Sequence, residues 1–307
     1  MNEFPMCPDC AKEYYYPETR RYDAQPVCCN ECGPEVYLIG RSERGRDAIT
    51  YTRQVIHDGG IVAIKGIGGF HLCCDATNED AVSRLRTLKR RPAKPFAIMA
   101  KDETVVKREC IVTPEQEAIL TGHQKPILLL DRRVNDSISE NYSGFERSEE
   151  KQLELEKENL DIEKDTTCKA GLLKKQLQLE KETEQVNEQG TRLAPSVAPG
   201  NPKVGVMLPY APVQLLIFQY DDGIKMPDIL VMTSGNTSGA PICREDTEAV
   251  AELSHLCDAM LSHNRKIRIR ADDKVMDFYK NEPYMIRRSR GYAPLPFMML
   301  KEWTGKV

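Results

Sequence analysis

Four cysteines near the start of the chain restrict its folding more than any other feature. In CPDCAKEYYYPETRRYDAQPVCCNECGP, Cys7 and Cys10 are followed after eighteen residues by Cys29 and Cys32, giving C-x2-C-x18-C-x2-C. Two such knuckles turn four thiolates toward one tetrahedral Zn2+, and a segment so short and polar buries too little apolar surface to fold without the ion. The zinc is expected to be structural, because four sulfurs leave no open position for water, and its binding would contribute on the order of 10 kcal/mol to folding. Chance spacing of free thiols is the competing explanation. Cys28 adjoins a ligand position, but only Cys29 preserves both two-residue spacers. The remaining thiols, Cys28, Cys73, Cys74, Cys110, Cys168, Cys243 and Cys257, read as ordinary and mostly inert, and an odd total of eleven fits a reducing, cytoplasmic compartment better than a disulfide framework.

With 307 residues, 40% of them hydrophobic, the chain is long enough for one large core with a small appendage. Its formal charge of -4 is carried by one stretch, Glu146 to Arg192, which holds 13 acidic and 9 basic residues. The balanced remainder argues against non-specific nucleic-acid binding and leaves room for a local phosphate pocket. No apolar run approaches the roughly 18 residues of a membrane span, and the N-terminus lacks a signal-peptide pattern. Within the charged stretch, Leu153 and Leu160, Leu155 and Ile162, and Leu172, Leu179 and Val186 repeat at seven, as in a helical hairpin turning near DTTCKAG. Such an arm would bind a partner or be a tolerated surface insertion, and the composition favours the second.

The rest alternates between helical and strand text. A helix from about Ala48 ends at Gly59 and Gly60, the strand IVAIKG follows, and a glycine-rich turn leads to a helix capped by Asn78. PFAIMA, PILLLD and DILVMTSG read as strands, DTEAVAELSHLC as a helix, and HNRKIRIRADDKV as a half-buried strand with alternating Ile and Arg. A mixed, twisted sheet flanked by helices is expected.

Four segments carry candidate chemistry. KRRPAKP sets Lys89, Arg90, Arg91 and Lys94 at a helix end, where they suit a polyphosphate or, equally, complement the helix dipole. TSGNTSGAP follows an apolar strand, so the hydroxyls of Thr233, Ser234 and Ser238 and the Asn236 amide can reach ligand oxygens at a strand end, or form a polar turn. Asp272 and Asp273 would hold Mg2+, orient ribose, or cap a turn. IRRSRGYAP groups Arg287, Arg288 and Arg290 for a phosphate or carboxylate-like group. There is no G-x-x-x-x-G-K-[ST] loop, KGIGGF does not fit the dinucleotide fingerprint, and the five histidines read as structural.

Together the cysteine quartet ending in CGP, AIKGIGGFHLCCDA, KRRPAKPFAIM, GVMLPYAP, TSGNTSGAPI, HNRKIRIRADD and RRSRGYAP resemble, in order, the middle of the HypF-type [NiFe]-hydrogenase maturation carbamoyltransferases. The resemblance implies a zinc finger over 1–36, a YrdC-like nucleotide-binding domain over 37–300 interrupted by the insert at 145–192, and a tail over 301–307. The YrdC-like fold is an open twisted α/β sheet. The implied reaction joins carbamate, derived from carbamoyl phosphate, to ATP, giving carbamoyl-adenylate and pyrophosphate. Lys89, Arg91 and Lys94 would bind phosphates, Thr233, Ser234 and Asn236 would line the nucleotide or carbamate site, and Arg288 and Arg290 would close on it. No side chain is required as a general base; Zn2+ is structural, ATP is a substrate and Mg2+ is expected. A separate transfer domain would deliver carbamoyl to a HypE-like acceptor protein. The family pattern has other residues where this chain has Asp23, Gln214 and Lys274, and a shorter connection where it has the insert. Competing expectations are a threonylcarbamoyl-adenylate synthase of the tRNA-modifying branch, and a non-catalytic nucleotide- or RNA-binding module.

Overall fold

The computed structural model describes residues 4–24, 27–133, 191–237 and 239–293. The charged helical hairpin, the C-terminal tail and Ser238 therefore lie outside the described residues, apart from Thr191 and Arg192.

Helix α1 (Pro8–Tyr15) starts immediately after Cys7, with proline in its first turn, where a missing N–H costs nothing. Strand β1 (Val36–Leu38) is followed by α2 (Gly45–His57), β2 (Val62–Lys65), β3 (Phe70–Asp75), α3 (Glu79–Leu88) and β4 (Ala97–Ala100). Next come α4 (Glu103–Glu109), α5 (Pro114–Thr121) and β5 (Ile127–Asp131). After the return of the chain at Thr191 lie β6 (Lys203–Met207), α6 (Pro212–Phe218), β7 (Ile229–Ser234), α7 (Asp246–Leu253), β8 (Ala259–His263), β9 (Val275–Tyr279) and β10 (Glu282–Arg287).

Among the described residues, ten strands form one mixed sheet in the order β1-β8-β2-β3-β7-β4-β6-β5-β9-β10. β2–β8, β4–β6 and β5–β9 are parallel, and the other neighbours are antiparallel. Strands β2 and β7 are almost wholly buried, as their unbroken apolar runs require of strands covered on both faces. On one face, Val82 and Leu85 of α3, Val106 of α4, Leu120 of α5 and Leu253 of α7 pack against Leu72, Ile98, Val206 and Val231. On the other, Ile49 and Ile56 of α2 and Ile217 and Phe218 of α6 pack against Val62, Cys73, Met99 and Leu230. Each such side chain contributes about 1.5–3 kcal/mol when taken out of water.

Within the described residues, the expected helices and strands are present with shifted ends, with one exception. Asn78 caps α3, its side chain accepting from the Ala81 N–H at 3.0 Å. The helix expected from Ala48 begins at Gly45, and the one expected to reach Cys257 ends at Leu253. HNRKIRIRADDKV is a correction: residues 264–274 form no strand. Its arginines bond sideways instead. Arg270 donates to Ile242 O and pairs with Glu248, the Arg268 carbonyl accepts from Arg244, and Ile269 is 80% exposed.

Strand direction creates one edge at which the candidate segments meet. β2, β7 and β8 run the same way, so Lys65, Ser234 and His263 end together, and the antiparallel partners β3 and β4 begin there. The loop from α3 into β4 consequently arrives beside the end of β7.

Candidate functional site

The cysteine quartet assembles as its spacing predicts. Cys7 and Cys29 sulfurs are 3.7 Å apart, Cys29 and Cys32 3.8 Å, and Cys32 and Cys10 3.7 Å, with all four within 4.8 Å of one another. Ligands about 2.3 Å from a tetrahedral zinc stand roughly 3.8 Å apart, so the residues fit the ion. Gly33 N–H donates to Cys29 O at 2.9 Å, and a Cβ at Gly33 would lie 2.7 Å from that carbonyl, so the second knuckle turns only with glycine there. Cys28 is exposed and outside the quartet.

At the strand edge, α3 ends with Lys89, and Arg90 takes a φ of 50° that swings the chain back toward β7. Lys89 Nζ donates to Ser234 O at 2.6 Å and Asn236 O at 3.2 Å, and lies 3.4 Å from Asn236 Oδ1. Arg91 donates to Thr233 Oγ1 at 3.1 Å, and its guanidinium lies 4.9 Å from the Phe96 ring centre. KRRPAKP and TSGN therefore meet, although 142 to 147 residues separate the bonded pairs. The Ser234 hydroxyl donates to Asn236 Oδ1 at 2.8 Å, and Asn236 Nδ2 donates to Ala240 O at 2.6 Å. These bonds fix the amide in one orientation.

Burial pushes Lys89 down to about 8 and Arg91 down to about 10, with neighbouring positive charge adding to the effect. Among the described residues, no carboxylate forms an ion pair with either. Two half-buried cations without an acidic partner are suited to an incoming anion. Lys94 takes a different place: its side chain is exposed, and its carbonyl accepts from Arg86 and Arg91. Arg86, which the sequence does not single out, holds this loop through Arg91 O and Lys94 O while bonding Ser196 O.

Glycines permit the close approach. A Cβ at Gly235 would stand 2.7 Å from Phe70 O, and Gly235 N–H donates to that same oxygen at 2.7 Å.

Residues 54–149 and 171–289 match the Sua5/YciO/YrdC family model, described as "Telomere recombination", and residues 6–39 match the HypF finger. The chain belongs to the Sua5/YciO/YrdC family. It carries a YrdC-like domain behind a HypF-type finger, and it is 37% identical over 295 residues to carbamoyltransferase HypF of Rhodobacter capsulatus, covering 96% of this chain and 31% of that protein. Carbamoyltransferase HypF2 of Cupriavidus necator is 34% identical over 355 residues, covering 94% of this chain and 37% of that protein. The chain thus spans about a third of the length of the curated relatives it matches. A crystal structure of full-length HypF in the phosphate- and nucleotide-bound form superimposes with a TM-score of 0.71 at 36% identity, covering 98% of this chain and 32% of that one. Sua5 of P. abyssi complexed with L-threonine shares the fold alone, with a TM-score of 0.53 at 16% identity, covering 81% of this chain and 56% of that one.

In the YrdC-like domain, Arg288 and Arg290 part company. Arg288 donates to Tyr292 O at 2.7 Å in an exposed turn. Arg290 donates to Asp273 Oδ1 at 3.1 Å and stacks 3.4 Å from the Tyr210 ring centre. Asp273 also receives the Tyr210 hydroxyl at 3.2 Å and lies 2.9 Å from His71 Nε2. Burial opposes the charge on Asp273, but His71 and Arg290 outweigh it and hold the carboxyl well below the usual carboxylate range. His71 sits opposite Ser234 in the β3–β7 register, which joins this second cluster to TSGN.

Asp273 is therefore occupied, and Asp272 lies 3.9 Å from Arg287. Among the described residues, only the cysteine quartet groups three or more potential metal ligands, so no carboxylate cluster is available for Mg2+. Lys274 is fully buried, donates to Gln124 O, and sits 4.9 Å from the Tyr292 ring centre; burial pushes it down to about 8. Gln214 accepts from the Tyr210 and Ala211 N–H groups at the start of α6.

Proposed function

We propose that the YrdC-like domain activates carbamate with ATP, releasing pyrophosphate and forming carbamoyl-adenylate, as one step of carbamoyl transfer in hydrogenase maturation. The observation that carries this reading is the meeting of Lys89 and Arg91 with Thr233, Ser234 and Asn236, in a chain 37% identical to a carbamoyltransferase HypF. A carbamate oxygen attacks the α-phosphorus, the bond from that phosphorus to the β-phosphate oxygen breaks, and pyrophosphate leaves with the electron pair. No proton must be removed from the nucleophile. Positioning and charge neutralisation by the cations then supply the rate, for which well-oriented reactants are worth about 7–11 kcal/mol. Zinc at the cysteines organises the finger. Magnesium would travel with the nucleotide phosphates, and no step is assigned to it.

The carbamate would come from carbamoyl phosphate, and the adenylate would be consumed by a transfer domain serving a HypE-like acceptor protein. ATP–pyrophosphate exchange tests the reading, run with carbamate or carbamoyl phosphate and separately with threonine plus bicarbonate. Exchange dependent on carbamate, and lost in Asn236→Ala at saturating ATP, is expected. Exchange dependent only on threonine would move the chain to the tRNA-modifying branch. Salt-sensitive RNA binding without pyrophosphate release would make it a binding module.

A further inference from the structure

Arg86 lies buried in the last turn of α3 and directs its whole guanidinium at backbone carbonyls. Nε and Nη2 donate to Ser196 O at 2.9 and 2.5 Å, Nη2 also to Val197 O at 3.3 Å, and Nη1 to Arg91 O at 2.6 Å and Lys94 O at 3.2 Å. These five bonds engage the five N–H groups of the fork. Two of the carbonyls belong to the loop from α3 into β4, which needs outside support: Arg90 takes a φ of 50°, and Pro92 and Pro95 have no N–H with which to tie the chain down. The opposite anchor is the 3-10 turn Pro195–Val197, which Glu79 also holds, its carboxylate accepting from the Ser196 N–H at 3.0 Å and from the Ser196 hydroxyl. Phe96 N–H closes this frame on Val197 O at 2.8 Å.

Arg91 is seated on what Arg86 fixes. Its Nε donates to the same Lys94 carbonyl at 3.1 Å and its Nη2 to Pro95 O, which leaves Nη1 for Thr233 Oγ1. Both guanidiniums lie over the Phe96 ring, 4.6 Å and 4.9 Å from its centre. Like charges this close repel one another unless an anion shares them, and after burial itself the neighbouring Arg86 is what pushes Arg91 down to about 10.

We propose that Arg86 is a positioning residue for the phosphate subsite: without touching substrate, it pins the loop of residues 91–95 to the turn Pro195–Val197 and so aims the Arg91 guanidinium, beside Thr233, at the distal phosphates of ATP. This rests on the ATP-dependent reading above. Lysine cannot take the role, because an ammonium is a single point with three donors and cannot span carbonyls on two segments as the planar fork does.

Arg86→Lys keeps the charge and loses the fork. By calorimetric titration of the full chain, pyrophosphate affinity should fall at least tenfold while AMP affinity stays within about twofold. In carbamate-dependent exchange, KM for ATP should rise with kcat nearly unchanged, a split that a general loosening of α3 would not give. Combined with Arg91→Ala, the lysine variant should weaken pyrophosphate little beyond Arg91→Ala alone, because both act through one guanidinium; additive losses would overturn the role. Parental pyrophosphate affinity in Arg86→Lys would reject the role alone, whereas a parent that binds no pyrophosphate would reject the nucleotide reading and the role with it. A measurement on the parent covers the case in which the variant fails to fold. The Arg86 Nε–H resonance should exchange slowly with solvent and stay in place when pyrophosphate is added, while that of Arg91 shifts. Fast exchange at Arg86, or a shift as large as that of Arg91, would overturn the proposal, the first because the fork is not held and the second because it meets the anion itself.

Discussion

Cys28 and Cys29 are neighbours in the chain with opposite fates, one exposed and one in the sulfur quartet. Metal analysis of purified variants should find about one zinc per chain in Cys28→Ser and a loss of zinc in Cys29→Ser. Arg91 and Lys89 define the other residue-scale expectation. Arg91→Ala should weaken ATP and pyrophosphate binding at least tenfold, about 1.4 kcal/mol, and AMP much less, because AMP lacks the distal phosphates. Lys89 supplies a pH signature. Its value near 8 in the free protein means that raising the pH from 7 to 9 removes its proton, so pyrophosphate affinity should fall over that window and Lys89→Met should flatten the profile. The sign for stability is opposite: a lysine depressed on folding weighs against the folded state below about pH 8, and that burden lifts as the pH climbs toward the ordinary lysine value. The cations and hydroxyls of this site were legible because charge clusters and a TSGN turn announce themselves locally. The pairing of His71 with Asp273 was not legible, since 202 residues separate them: Asp273 stood out only as a residue for Mg2+, ribose or a turn, and His71 read as structural.

Among the elements, those whose pattern reflects local packing could be read ahead, while those defined by distant pairing could not. Asn78 and the periodic face of α3 mark that helix within one turn. β3 hides behind a glycine-rich turn and two cysteines, because its partners β2 and β7 supply what its own sequence leaves unstated. The alternating Ile and Arg of 264–274 mimic a strand, yet Arg270 serves bonds to Glu248 of α7 and to the Ile242 carbonyl. A different kind of element is the stem beneath the charged insert. Glu109, 2% exposed, accepts from the Thr191 hydroxyl at 3.0 Å and the Arg192 N–H at 2.8 Å, while its carbonyl accepts from Arg133 N–H at 2.9 Å. The chain therefore leaves and re-enters the body at one residue. Glu109→Ala would remove the acceptor of the Thr191 hydroxyl, the Arg192 N–H and Arg108 Nε while leaving the Arg133 bond to the backbone carbonyl and the Arg108 bond to Asp228, and denaturant titration should show a loss of about 2–4 kcal/mol.

For the whole molecule, the mixed α/β character was evident from alternating text, whereas the strand order was not, because each strand's neighbours lie far away in sequence. That order has a consequence for severing the chain. The segment before residue 134 supplies β1 to β5 and the segment after 190 supplies β6 to β10, and the two sets interleave across the sheet, with only β2–β3 and β9–β10 pairing within their own half. Neither half can close a sheet or a core by itself. A specific protease site placed within 134–190 should yield two polypeptides that co-elute as one heterodimer under native conditions and separate only in denaturant, and each half expressed alone should aggregate. Co-expressed, they should complement one another and restore nucleotide binding, so the covalent continuity of this protein is replaceable by the hydrogen bonds between its strands.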